Sequence, residues 1–128
     1  MSFIDVKLND TKEPEAVEAG QYEVRVIKAE AKDSNAGNPM IAIQYEILNQ
    51  PDASLVFETI MLPKADDDDR MKNLKKLSLK RLCAALDYEP AGGIDTDELV
   101  GRECSVLLKS ETSEQYGTQN RVSRYITS

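Results

Sequence analysis

Five strands and one helix, the helix set between the third strand and the fourth, make up the mainly β fold that three observations predict. Short runs alternating apolar and polar residues with period 2 recur along the chain, each bounded by turn formers. Only one long stretch, Asp69 to Leu86, repeats near 3.6 residues: Met71, Leu74, Ser78, Leu82, Ala85 and Leu86 fall on one face, and Lys72, Lys76 and Lys80 stack on another. That stretch interrupts the strands, with three runs before it and two after it.

Gly20 opens the first strand, in which Tyr22, Val24 and Val26 alternate with Glu23 and Arg25. The alternation shifts at Ile27 to Ala31, which predicts a bulge or strong bend. Turn formers crowd Lys32 to Pro39 and predict a hairpin into the second strand, where Ile41, Ile43, Tyr45 and Ile47 oppose Ala42, Gln44 and Glu46. Asn49 to Asp52 makes the next turn, and Leu55 to Leu62 forms the third strand. Two registers fit it: Val56, Ile60 and Leu62 can share the core face and leave Phe57 and Met61 outside, or Phe57 can serve as core and turn Glu58 out.

Pro63 ends that strand, and the carboxylates Asp66 to Asp69 suit the start of a helix, where they cap free N–H groups and meet the positive end of the dipole. Pro90 and the Gly92-Gly93 pair mark its end. Ile94 to Val100 reads as a linker with one helical turn capped by Asp95. Gly101 then opens the fourth strand, with Cys104, Val106 and Leu108 on one side and Ser105, Leu107 and Lys109 on the other. A polar loop, Ser110 to Gln119, leads to the fifth strand, Asn120 to Ile126.

The chain has 128 residues, a length that suits one domain able to bury a core without metal or disulfide staples. Residues 1–19 carry Asp5, Asp10, Glu13, Glu15 and Glu18 against Lys7 and Lys12, with Pro14 as a breaker, and read as an acidic, weakly ordered arm; residues 20–128 form the domain. The net charge of −7 gives no global footprint of a polyanion binder, so any such role needs a local patch. Cys83 and Cys104 sit among apolar neighbours and read as buried free thiols, and without histidine a zinc site is not expected. The start lacks a basic, apolar leader and no run approaches a membrane span, so the expected location is the cytoplasm.

Three strands, a helix and two strands follow the order of the oligonucleotide/oligosaccharide-binding barrel, whose helix closes one end. A ubiquitin-like roll would instead place its helix after the second strand. In the barrel reading the apolar face of Met71 to Leu86 is the plug, and the side opposite the core displays Arg25, Gln44, Phe57, Lys109, Arg121 and Tyr125. That list is aromatic and basic, unlike the chain as a whole. With the loop residue Tyr116, Phe57 and Tyr125 are candidate stacking platforms, and Arg25, Lys109 and Arg121 candidate phosphate contacts. Enzymatic readings do poorly: there is no nucleophile motif, phosphate loop or calcium-loop spacing, so no catalytic residue, metal or cofactor is assigned.

Several short motifs carry a resemblance. They are Gly20-x-Tyr22-x-Val24, the run Met40-Ile41-x-Ile43-x-Tyr45-Glu46-Ile47, Leu82-Cys83-x-Ala85-Leu86, Leu99-x-Gly101-x-x-Cys104-x-Val106, and Asn120-Arg121-Val122. Over residues 20–126 the chain resembles a family of small proteins from phage replication and recombination modules, long classed as a domain of unknown function and similar to single-stranded DNA-binding proteins. The resemblance implies a non-catalytic protein that coats single-stranded DNA in the cytoplasm of an infected bacterium, with phage or host replication and recombination proteins as further partners and self-association left open. Proteins of that kind often end in an acidic tail, whereas this chain ends Arg124-Tyr125-Ile126-Thr127-Ser128. Docking of a replication or host protein on the same barrel, without nucleic acid, is the alternative.

Overall fold

The computed structural model describes residues 2–6, 8–9 and 13–127. Its elements are β1 (Gly20–Asp33), β2 (Pro39–Ile47), β3 (Val56–Met61), α1 (Asp69–Ala85), the short α2 (Thr96–Leu99), β4 (Glu103–Ser113) and β5 (Gly117–Ile126). The strands form one antiparallel sheet in the order β3-β2-β1-β4-β5. The fold is mainly β, as predicted. The sheet curls until its edges, β3 and β5, are neighbours, but among the described residues no backbone ladder joins them.

As the middle strand, β1 serves two partners. Gly20 to Arg25 pairs with β4 and Val24 to Asp33 with β2, and the register against β2 shifts between Val26 and Lys28. An unbroken alternation would carry Lys28 inward after Val24 and Val26. The extra residue Ile27 prevents this, so that Ala29 takes the next inward place and Lys28 faces water. The bend is held from outside the ladder: the Val26 N–H donates to the Arg102 carbonyl at 2.9 Å, and the Gly101 N–H to the Val26 carbonyl at 2.8 Å. Gly101 has φ +91°, a conformation glycine adopts without strain.

The core lies inside the curl. Val24, Val26, Ile41, Ile43, Tyr45, Val56, Ile60, Val106 and Leu108 meet Leu82, Cys83 and Leu86 of α1 and Leu99 of α2. In β3, Val56 and Ile60 point in and Phe57 out, which decides between the two registers the sequence allows, with Leu62 partly buried against the core. Cys83 and Cys104 are both buried and unbridged; burial pushes both thiols up, Cys104 to about 12.

The ends of α1 follow from side-chain chemistry. Asp68 is its N-cap and accepts from the Met71 N–H at 2.7 Å. At the other end Asp87 adopts φ +54°, the Asp87 N–H donates to Ala84 and the Tyr88 N–H to Cys83, a left-handed stop that lies ahead of Pro90 and Gly92. Arg102 completes it, donating to the carbonyls of Leu86 at 3.3 Å and Asp87 at 2.8 Å while its guanidinium lies 5.2 Å from the Tyr88 ring centre. Asp95 caps α2, as expected, by accepting from the Asp97 N–H at 3.0 Å.

Two expectations need correction. The predicted plug, the whole apolar face from Met71 to Leu86, is confined to the C-terminal end of α1: Leu82, Cys83 and Leu86 are buried, whereas Met71, Leu74 and Leu77 are 44%, 48% and 36% exposed. The helix lies along the edge strands β3 and β5 and reaches the core only through its last turns. The predicted polar loop Ser110 to Gln119 is also largely strand, because Ser110, Glu111, Thr112 and Ser113 pair with Asn120, Gln119, Thr118 and Gly117. This hairpin extends past the core with polar residues on both sides, so it has no apolar alternation to betray it.

The expected acidic arm, residues 1–19, lies in part outside the described residues. Its last stretch is tied down. Glu15 exchanges backbone hydrogen bonds with Asp52 and Ser54 just ahead of β3, and two residues later Val17 is held by Asn120 of β5. Asn120 is buried and fully used: its Oδ1 accepts from the Val17 N–H at 2.8 Å, and its Nδ2 donates to the carbonyls of Val17 at 2.9 Å and Lys109 at 3.4 Å. The segment thus straps the beginning of β3 to the beginning of β5.

The uneven seating of α1 has a measurable consequence. Leu82→Ala empties a fully buried site and should cost about 2–5 kcal/mol in denaturant unfolding. Leu74→Ala, four sites along the same predicted face from Ser78, should cost less than ~0.5 kcal/mol. Equal losses at the two positions would contradict the partial plug.

Candidate functional site

Strand pairing decides which predicted residues meet. On the outer face, Gln44 stands beside Phe57 across β2 and β3, and Lys28 beside Gln44 across β1 and β2. On the other side of the seam, Lys109 of β4 pairs with Arg121 of β5, and Arg121 Nη1 reaches the Phe57 carbonyl at 3.4 Å. A continuous band therefore runs Lys109, Arg121, Phe57, Gln44, Lys28 across all five strands. Phe57 is 48% exposed at its middle.

Tyr116 sits at the tip of the β4–β5 hairpin, its N–H donating to Ser113 Oγ at 3.0 Å, and is 65% exposed. It lines a groove of about 700 Å³ with Phe57, Leu55, Thr118 and Gln119, and the strap around Pro14, Glu15 and Ala16 forms another wall. Two aromatic faces at the edge of one groove can hold flat apolar rings. The cations beside it are engaged in exposed pairs that a phosphate can replace: Glu111 lies 3.2 Å from Lys109 and 3.6 Å from Arg121.

The other two predicted residues stand elsewhere. Arg25 shares the outer face, but its Nε donates to Glu46 at 2.6 Å and its β4 partner is Glu103, so it belongs to an acidic neighbourhood beside the band. Tyr125 does not face out. Strict alternation in β5 groups it with Arg121, but the register shifts at Leu107 and Leu108, leaving Ser123 without a partner and pairing Tyr125 with the inward Val106. Its hydroxyl meets that of Tyr45 at 2.8 Å, with ring centres 6.4 Å apart and tilted 59°. Burial pushes both phenols well above the ordinary range. Sequence reasoning missed Lys28, although the shift it placed at Ile27 was the signal: carrying that shift one residue on turns Lys28 outward.

Glu58 is the inward carboxylate of the edge strand β3, opposite Ile43. Such a charge weakens an edge as a template for pairing with another chain. Burial holds its carboxyl above the ordinary range, opposed by the Thr59 N–H that it accepts at 3.2 Å and by the charges of Arg121 and Lys109. Within the aspartate run, Asp67 and Asp68 are committed to the chain itself. Asp67 accepts from Lys75 Nζ at 2.7 Å and from the Lys64 N–H at 2.8 Å, contacts that hold its carboxyl below the usual range, while Asp68 caps α1. Among the described residues no helix is long and apolar enough to cross a membrane.

Ionising Glu58 opposes folding, because its folded-state pKa lies above the unfolded one; stability present below the unfolded value is lost as pH rises through the folded value. Glu58→Gln, neutral throughout, should melt above the unmodified chain near pH ~7, and the difference should shrink as the pH falls below ~4. Thermal melts across that range check this, and a difference that grows toward low pH would contradict it.

A family model described as "Protein of unknown function (DUF669)" matches residues 4–125, from the exposed N-terminal segment to Tyr125 in β5. A comparison with curated proteins finds no match.

Proposed function

We propose that this chain, which belongs to the family of proteins of unknown function DUF669, is a non-catalytic, sequence-tolerant single-stranded DNA-binding protein of phage replication or recombination. The carrying observation is the band Lys109, Arg121, Phe57, Gln44, Lys28, with Tyr116 at its rim. Bases stack on Phe57 and Tyr116, and the backbone runs along Lys109, Arg121 and Lys28. Stacking accepts any base because every base has a flat face, so the site tolerates sequence.

The sheet order β3-β2-β1-β4-β5, the helix between β3 and β4, and the adjacency of β3 and β5 support an oligonucleotide-binding barrel as the architecture of this site. In such barrels the outer face of the second and third strands, rimmed by the loop between the last two, is the binding surface. Gln44, Phe57 and Tyr116 occupy those places. A second reading, docking of a replication or host protein without nucleic acid, is favoured by the carboxylates Glu111 and Glu46 that neutralise Lys109, Arg121 and Arg25.

Fluorescence anisotropy with a labelled oligo-dT at low and moderate salt separates the two. Binding should fall steeply with salt, and Phe57→Ala and Tyr116→Ala should each cost about 1–3 kcal/mol. Tyr125→Phe, inside the sheet, should leave affinity unchanged. No binding on the order of tens of micromolar at low salt overturns the proposal and leaves the docking reading.

Glu111 provides an independent check on the same surface. Glu111→Gln frees Lys109 and Arg121 and should tighten oligo-dT binding by about two- to fivefold, the expected scale for exposed ion pairs. The gain should fade as added salt screens the charges. An unchanged or weaker affinity at low salt would place the strand elsewhere.

A further inference from the structure

Among the described residues the edge strands β3 and β5 lie side by side without a backbone ladder, and a groove opens toward each end of that seam. The first, beside Tyr116, takes in the beginnings of both strands and reaches Phe57. The second, of about 770 Å³, starts one residue further on at Glu58 of β3 and at Val122 of β5, and α1 forms its other wall. Between the two grooves stand Phe57 and Arg121, which meet across the seam.

The outward residues continue from one groove to the other. Phe57 and Thr59 share a side of β3, as alternate strand residues do. In β5 the unpaired Ser123 shifts the alternation, so Arg124 pairs with the outward Leu107 and follows Arg121 on the outer face. One surface path therefore leads from Tyr116 past Phe57 and Arg121 to Thr59 and Arg124. From Leu55 to Met61 it spans about 20 Å at the rise of an extended strand.

The second groove combines apolar walls with free cations. Met71 and Leu74 of α1, 44% and 48% exposed, join Ile60 and Val122 of the strands in lining it. Its charged residues are Lys75, Arg81 and Arg124 against Glu58, and no member of the aspartate run lines it. Lys75 is held by Asp67 at 2.7 Å, whereas the exposed Arg81 and Arg124 form no ion pair among the described residues. A purely apolar partner would leave both arginines unused, and a small anion would leave the apolar walls in water. A polynucleotide strand offers flat apolar bases and a phosphate at every unit, and so satisfies both.

On the premise that bases stack on Tyr116 and Phe57, we propose that a single strand of nucleic acid leaves the band at Arg121 and continues along the seam into the groove beside α1. Its phosphates meet Arg124 and Arg81, and a base lies against Met71 and Leu74. The exposed Lys76 and Lys80 line no part of the groove and make no direct contact.

The test uses a labelled oligo-dT of about 16 nucleotides, the upper end of what one such fold covers. Its affinity is measured for the unmodified chain, for Phe57→Ala, for Arg81→Gln with Arg124→Gln, and for Lys76→Gln with Lys80→Gln. The last pair removes the same charge from α1 outside the groove. These arginines and lysines are exposed, so thermal melts of both double variants should match the unmodified chain. The arginine pair should weaken binding at least about fivefold at low salt, and its plot of log affinity against log salt should be shallower by ~1.4, the value for two phosphate contacts of a single strand. The lysine pair should change affinity by less than about twofold. If Phe57→Ala weakens binding but the arginine pair costs no more than the lysine pair, the strand does not enter the groove. The stacking face then stands, and the groove is left to a protein partner. A loss with the arginine pair and none with Phe57→Ala overturns the stacking face and the path that starts from it. No binding by the unmodified chain overturns both readings together.

Discussion

The bent middle strand is the constraint on which the remaining geometry depends. β1 pairs with β4 through its first half and with β2 through its second, and the extra residue Ile27 lets one strand face the core on both sides of the bend. Without the bulge Lys28 would have to enter the apolar interior, and an unpaired buried charge costs several kcal/mol. Backbone bonds from Gly101 and Arg102 to Val26 hold the bend from the α2 side. The same Arg102 closes the C-terminal end of α1, so a single stretch between α2 and β4 fixes both the curl of the sheet and the place where the helix stops. The curl then brings β3 beside β5, and only through that approach do Phe57 and Arg121 become neighbours.

Energetic roles divide along the surface in a consistent way. The interior is apolar, with Asn120 the buried polar residue among those described, and each polar atom of its side chain is hydrogen-bonded. The outer band has few such commitments: its ion pairs are exposed and exchangeable, and Phe57 and Tyr116 keep large parts of their rings in water. Binding residues on a β-sheet face need this arrangement, in which the strands are fixed from the inside and the outward side chains are left free to change partners. The basic helix contributes in a different manner. Its last turns anchor it, and its first turns carry an apolar and cationic surface that the core does not use.

Most elements were legible because they are half-buried, and half-burial writes a period into the sequence. The alternations in β1 and β2, the 3.6-residue repeat of α1, the caps Asp68 and Asp95 and the turn between Lys32 and Pro39 all have local causes. The hairpin between β4 and β5 runs further than the sequence predicts, since polar strand residues that leave the core behind carry no alternation. Of the candidate site, β-strand periodicity places Lys109 and Arg121 on the outer face and turn chemistry places Tyr116 in its loop, whereas the side of Phe57 is decided only by its pairing with Gln44.

What the sequence determined by itself is therefore the set of elements, their order and the inward side of each regular strand, because these follow from local propensity and from burying apolar groups at fixed spacing. Only the tertiary structure decided where that spacing breaks. A bulge is set by pairing with a neighbouring strand, so Tyr125 moved from the outer face into a hydrogen bond with Tyr45, and Lys28 joined the band instead. It also decided how far a helix reaches the core, which depends on how the helix is seated against the edge strands β3 and β5. That is why Leu82 is buried and Leu74 is not, although both lie on the same predicted stripe.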